Sequence, residues 1–240
     1  GLFLSHYRRR GGESMIHLMK LEMKKVRIKR YILFSLLGIV YGILFTVVGL
    51  SDSSSAGYDY RLAFQMVQLV FCFYYILLFA VLTVAYVIHE YTNKTILVLF
   101  AYPVDKRRLI LAKLCLVAAL IAVSMTIGFL CCGAFIIWVD QYFDLVKGEF
   151  RISVLGQWAS AAVKEILMFC GLGMWTFIFG MIRKSITVTF VSAVVLCYVR
   201  QFLLAGTNQP EETWLMVVVT LAVTAAGVWY TLKHRIVQIE

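Results

Sequence analysis

The chain has 240 residues, 62% of them hydrophobic and only 15% charged, with a mean hydropathy of +0.85. That excludes a water-soluble domain, since such domains hold roughly 45–50% apolar residues and could not hide this much apolar surface. The net charge of +10 would point to nucleic acid in a soluble protein, but here the cations cluster at the ends of apolar runs, which excludes that partner. Six apolar stretches, near 31–50, 62–88, 109–139, 159–182, 185–205 and 214–232, each supply the about 20 helical residues that a bilayer core of about 30 Å requires. Val67 to Ile88 is nearly continuous in its hydrophobicity, unlike the alternating pattern of barrel strands. The expected fold is therefore all-α: a polytopic membrane protein of six transmembrane helices, forming one membrane domain over residues 15–240.

Residues 1–14 are polar and basic and end in Arg10-Gly11-Gly12-Glu13-Ser14, directly before Met15. Read back into codons, that stretch can encode a purine-rich bacterial ribosome-binding sequence at a normal distance from a start codon. Met15 is therefore expected to be the start, with 1–14 an untranslated leader or, alternatively, a disordered basic tail. No short apolar core with a small-residue cleavage site follows, so the segment is not a secretory signal. From Met15 to Arg30, His17, Lys20, Lys24 and Arg27 recur at helical spacing, while Met15, Met19, Met23 and Val26 lie toward the opposite side. The pattern predicts an N-terminal amphipathic helix lying in the membrane interface, with its cations at anionic lipid headgroups.

The first span contains Gly38-x-x-x-Gly42, a spacing that allows close helix contact. Eighteen of the 23 Lys and Arg lie before Tyr31, across 89–113, at 183–184 or after Leu232, and only Arg61, Lys147 and Arg151 lie on the other side. By the positive-inside rule this places both termini in the cytoplasm. The connection from His89 to Leu114 is then cytoplasmic, yet Ile96 to Phe100 is a dense apolar run that needs a covering surface. Pro103 breaks a preceding helix, Asp105 stands where it can cap the next one, and Lys106, Arg107 and Arg108 mark the membrane boundary. These features predict a short cytoplasmic helix between spans two and three that docks on another protein or, alternatively, packs only on its own chain.

Glu90, Thr95, Ile96, Leu99, Pro103, Val104, Lys106 and Lys113 together resemble the pattern of ABC type-2 exporter permeases, particularly small bacterial ones associated with peptide-antibiotic (lantibiotic) export and immunity. Lys94 departs from that pattern, which commonly has glycine before the threonine. The resemblance extends over Met15 to Glu240. It implies a coupling helix contacted by a separate ATP-binding subunit through Glu90, Thr95, Leu99, Pro103 and Lys106. It also implies a second permease copy or paralogue, with ATP and Mg held in the partner subunit. The chain has no G-x-x-x-x-G-K-[ST] phosphate loop, so it is not expected to hydrolyse ATP itself.

Arg183-Lys184 separates the fourth and fifth stretches and predicts a tight helical hairpin. Lys164, Glu165 and Arg200 are the charges nearest the bilayer; they read either as a substrate path or as an inter-helix pair and snorkelling groups. Gly171 and Gly173 offer a second close contact. The six cysteines all fall in spans without ligand spacing, and no His pair has metal spacing, so no metal site or catalytic constellation is expected. The function expected is export of an amphipathic substrate (peptide antibiotic, drug or lipid-like) across the bacterial cell membrane. An ATPase-independent transporter or channel, and a six-span membrane sensor, are the alternatives.

Overall fold

The computed structural model describes residues 28–52, 60–88, 106–143, 152–183, 185–205 and 210–234. Among the described residues the chain is helical throughout except at Ser185. The six α-helices are α1 (Ile28–Asp52), α2 (Tyr60–Thr83), α3 (Lys106–Phe143), α4 (Ile152–Arg183), α5 (Ile186–Ala205) and α6 (Pro210–His234). A π-helical turn, Val84–Ile88, continues α2. The interfacial helix expected over 15–30 and the cytoplasmic helix expected over 89–105 lie outside the described residues, apart from Ile28 to Arg30 in α1.

Each of the six expected spans is met by one helix. Five are long and apolar enough to cross a membrane, and α5 offers the shorter apolar run Ile186–Phe202. The protein is thus a polytopic all-α membrane protein. The hairpin expected at 183–184 turns on Ser185. Its amide donates to the Gly180 carbonyl at 3.3 Å, closing α4, and its carbonyl accepts from the Thr189 amide at 3.4 Å, opening α5. Serine suits this cap position. Pro210, at the first position of α6, has no amide hydrogen to leave unsatisfied there. The fourth helix starts earlier than expected, at Ile152, because Ile152 and Leu155 carry the helical apolar spacing of Ala159 and Ala162 back before residue 159.

Alternation of direction follows from the cross-helix contacts. Tyr31 and Ser35 of α1 meet Leu120 and Ser124 of α3 in the same order. Phe64 and Phe79 of α2 meet Trp158 and Gly173 of α4, and Lys164 and Trp175 of α4 meet Trp214 and Thr224 of α6. Gly38 and Gly42 of α1 meet Tyr74 and Phe71 of α2 in reverse order, and the Ser185 turn reverses α5 against α4, so the starts of α1, α3 and α5 share one end of the bundle with the ends of α2, α4 and α6. Helices α2 and α4 form the centre, with 61% of each span buried inside the chain against 22% for α1 and α6.

Lipid tails are as apolar as leucine, so helices associate by close packing and polar contacts rather than by hydrophobic exclusion. Phe71, Tyr75 and Phe79 of α2 are fully buried. Phe71 packs on Phe129 at 5.0 Å between centroids, and Phe64 stacks on Trp158 at 4.8 Å. Glycine makes room for these rings: a side-chain carbon at Gly133 would collide with Trp158, and one at Gly173 with Phe79. Gly38 and Gly42 face Tyr74 and Phe71 in the same way, so the glycine pair in α1 receives rings rather than a second backbone. Hydroxyl contacts then tie α1 and α2 to α3: Tyr31 donates to the Leu120 carbonyl, the Ser35 and Ser124 hydroxyls meet at 2.6 Å, and Tyr75 donates to the Ser124 carbonyl at 3.1 Å.

Candidate functional site

Two places in the bundle concentrate polar chemistry. The first is the α4–α5 contact, where the Arg200 guanidinium donates through Nη2 to Oε1 of Glu165 and through Nη1 to Oε1 of Gln201. The pair is enclosed, with 4% and 6% of the two side chains exposed. Arg200 Nε is buried and has no hydrogen-bond partner among the described residues. Arg200 lies about 21 Å along α5 from Ile186, at 1.5 Å per residue, two residues before the apolar run ends at Phe202, so the pair is enclosed between helices near that end of the span. Burying one such charge alone costs about 2.5–3.5 kcal/mol at the centre of a membrane helix. Two opposite charges in contact offset part of that penalty, and more of it the more of their remaining donors and acceptors are hydrogen-bonded.

The neighbourhood of the pair joins three more groups. Lys164 does not reach Arg200's partner; its ammonium lies over the Trp214 ring of α6, 5.2 Å from the centroid, a cation–π geometry. The sulfurs of Cys72 on α2 and Cys197 on α5 meet at 2.9 Å, within electrostatic range of Glu165 and Arg200. All six cysteines are free thiols. Helix α5 is thus held at one level by a carboxylate from α4 and a thiol from α2.

The second place is the bundle end where α2 stops and α3 starts. Lys106 is the first residue of α3, and Glu90, Thr95, Leu99 and Pro103 lie outside the described residues. Lys113, which by sequence belongs with the basic residues of this end, is buried, and its Nζ stands 3.4 Å from the Tyr86 carbonyl in the π-helical turn.

The sequence pattern of the ABC-2 family transporter proteins matches residues 18–227 of this chain. The chain belongs to the ABC-2 transporter family. It is also similar to the uncharacterized protein YcbO of Bacillus subtilis (strain 168), with 25% identity over 221 residues that cover 90% of this chain and 95% of that protein. As an ABC-2 family membrane component, this chain is the transmembrane part of a transport system, and the family in general implies an ABC ATP-binding partner.

Of the residues expected at functional positions in this ABC-2 chain, the structure brings Glu165 and Arg200 together and sends Lys164 to α6. Sequence reading did not pair Arg200 with Gln201, Lys164 with Trp214 or Cys72 with Cys197, because the direction of a side chain across a helix interface is not encoded in spacing along one helix. Lys113 did carry a signal: it is a lone cation inside the apolar run Leu109–Tyr142, where a charge needs a partner.

Proposed function

We propose that this chain is the permease subunit of an ATP-driven exporter of the bacterial cell membrane, with both termini in the cytoplasm. It moves an amphipathic substrate, a peptide antibiotic, drug or lipid-like molecule, out of the cell. A separate subunit holds ATP and Mg and hydrolyses ATP; this chain is not the enzyme. The ATP-binding subunit docks on the segment between α2 and α3, through Glu90, Thr95, Leu99, Pro103 and Lys106, and a second copy or paralogue of this chain completes the assembly.

The observation that carries this reading is the ABC-2 family match over residues 18–227. Two features support its details. Eighteen of 23 cations lie on one side of the spans, the bias that orients cytoplasmic loops. The connection between α2 and α3 lies on that same side, and its Ile96–Phe100 run calls for an apolar partner surface. For Lys164, Glu165 and Arg200, the enclosure of the Glu165–Arg200 pair favours a structural link between α4 and α5 over a place on the substrate path.

Affinity purification of the full chain from mildly solubilised bacterial membranes tests the reading. The expected result is co-purification, in fixed stoichiometry, of a protein bearing the phosphate-binding loop that this chain lacks. Repeated recovery without any ATPase, together with transport insensitive to ATP depletion, would favour an ATPase-independent carrier instead.

A further inference from the structure

Lys113 is 4% exposed and lies about 10 Å along α3 from Lys106, at 1.5 Å per residue. A lysine enclosed among apolar helices is costly unless its ammonium is answered. Here its Nζ faces the Tyr86 carbonyl at 3.4 Å, a cation set against the negative end of a peptide dipole. The carbonyl belongs to the π-helical turn Val84–Ile88, a wide and weakly favoured geometry found mostly as single turns at functional places.

The Tyr86 side chain is engaged as well. It packs against the apolar cluster of Ile110 and Leu114 from α3, Phe177, Ile178 and Met181 from α4, and Val228 from α6. It also packs against the main core. One residue of the π-helical turn is therefore held twice: its backbone by Lys113, its ring by the apolar clusters it packs against. Segment 89–105 is the connection between these two ends.

We propose that Lys113 is a positioning residue that clamps the end of α2 to the start of α3, so that displacement of the intervening segment moves both helices together and enters the bundle through Tyr86. The clamp fixes the π-helical turn as the transmission point between ATP-driven motion and the membrane helices. This inference rests on the ATP-driven reading above.

The test uses the full chain with its co-purified ATPase in lipid nanodiscs. Hydrogen–deuterium exchange is followed over Val84–Ile88 and residues 106–114, with and without ATP and vanadate. In the wild type, nucleotide alters exchange in both segments together. Lys113→Met keeps the ATPase bound and hydrolysing, but its nucleotide response at Val84–Ile88 falls about tenfold, the scale of one lost charge-assisted contact. Lys113→Arg, which keeps the cation, restores the joint response. A Lys113→Met complex that responds like the wild type, or a Lys113→Arg complex that does not recover, overturns the proposal. Should Lys113→Met fail to fold, Lys113→Gln is judged by the same two criteria. If the wild type binds no ATPase, the ATP-driven reading falls, and the clamp is judged in the chain alone: unchanged exchange at Val84–Ile88 in Lys113→Met refutes it, and faster exchange supports it.

Discussion

Arg200 carries a permanent charge inside an apolar helix, and the carboxylate of Glu165 answers it from the next helix. Removing one partner of such a pair strands the other charge and costs about 3–5 kcal/mol, whereas replacing both with apolar residues of similar size is often neutral. Glu165→Ala is therefore expected to lower the thermal unfolding temperature of the purified protein sharply. The double variant Glu165→Leu with Arg200→Met should recover most of the loss, and equal losses in single and double variants would show that the pair contributes little. Glycines give a second prediction of opposite signs. Gly133→Ala drives a methyl group into the Trp158 ring and should destabilise by about 1–3 kcal/mol, while Gly156→Ala, with open space around it, should stabilise by up to about 1 kcal/mol through helix propensity. Thermal unfolding of both variants in the same detergent checks the contrast. At this scale the sequence was partly legible. Glu165 and Arg200 stood out as charges in adjacent spans, but Trp214 beneath Lys164 and the thiols of Cys72 and Cys197 depend on helix rotation, which hydropathy does not report.

Helix α5 is the least apolar of the spans by length, since its apolar run Ile186–Phe202 covers about 25 Å at 1.5 Å per residue, short of a core of about 30 Å. Arg200 weakens it further, so the Glu165 carboxylate on α4 is expected to assist its insertion. A reporter enzyme active only outside the cytoplasm, fused after Ala205, should be active in the wild type and lose most of its activity in Glu165→Ala. Full activity in that variant would show that α5 inserts unaided. Element boundaries were legible where chemistry punctuates the chain: the Ser185 turn follows Arg183-Lys184, and α6 opens on Pro210. The π-helical turn was not, because Val84-Ala85-Tyr86-Val87-Ile88 contains no glycine or proline and reads as a continuation of α2. It coincides with the contacts of Tyr86 to Lys113 and to the apolar cluster, which no local pattern announces.

Across the whole molecule, α2 and α4 form the buried centre while α1 and α6 lie at the periphery. The two central helices are therefore placed to carry motion from one end of the bundle to the other, and α2 ends where the connection to α3 begins. The six-span layout was legible because a bilayer imposes length and hydrophobicity on every crossing segment; cytoplasmic termini remain the expectation of the positive-inside rule. Substrate identity was not legible: the Glu165–Arg200 pair is spent on linking α4 to α5, and no span carries a chemical code for a cargo. The central claim is that a separate ATPase drives this permease through the segment between α2 and α3. ATP turnover of the reconstituted complex, compared between the wild type and Glu90→Ala with Leu99→Ala, tests it most directly. Two contact residues worth about 1 kcal/mol each predict about thirtyfold weaker assembly and a fall of turnover to that of the isolated ATPase; unchanged turnover and assembly in the double variant would contradict the claim.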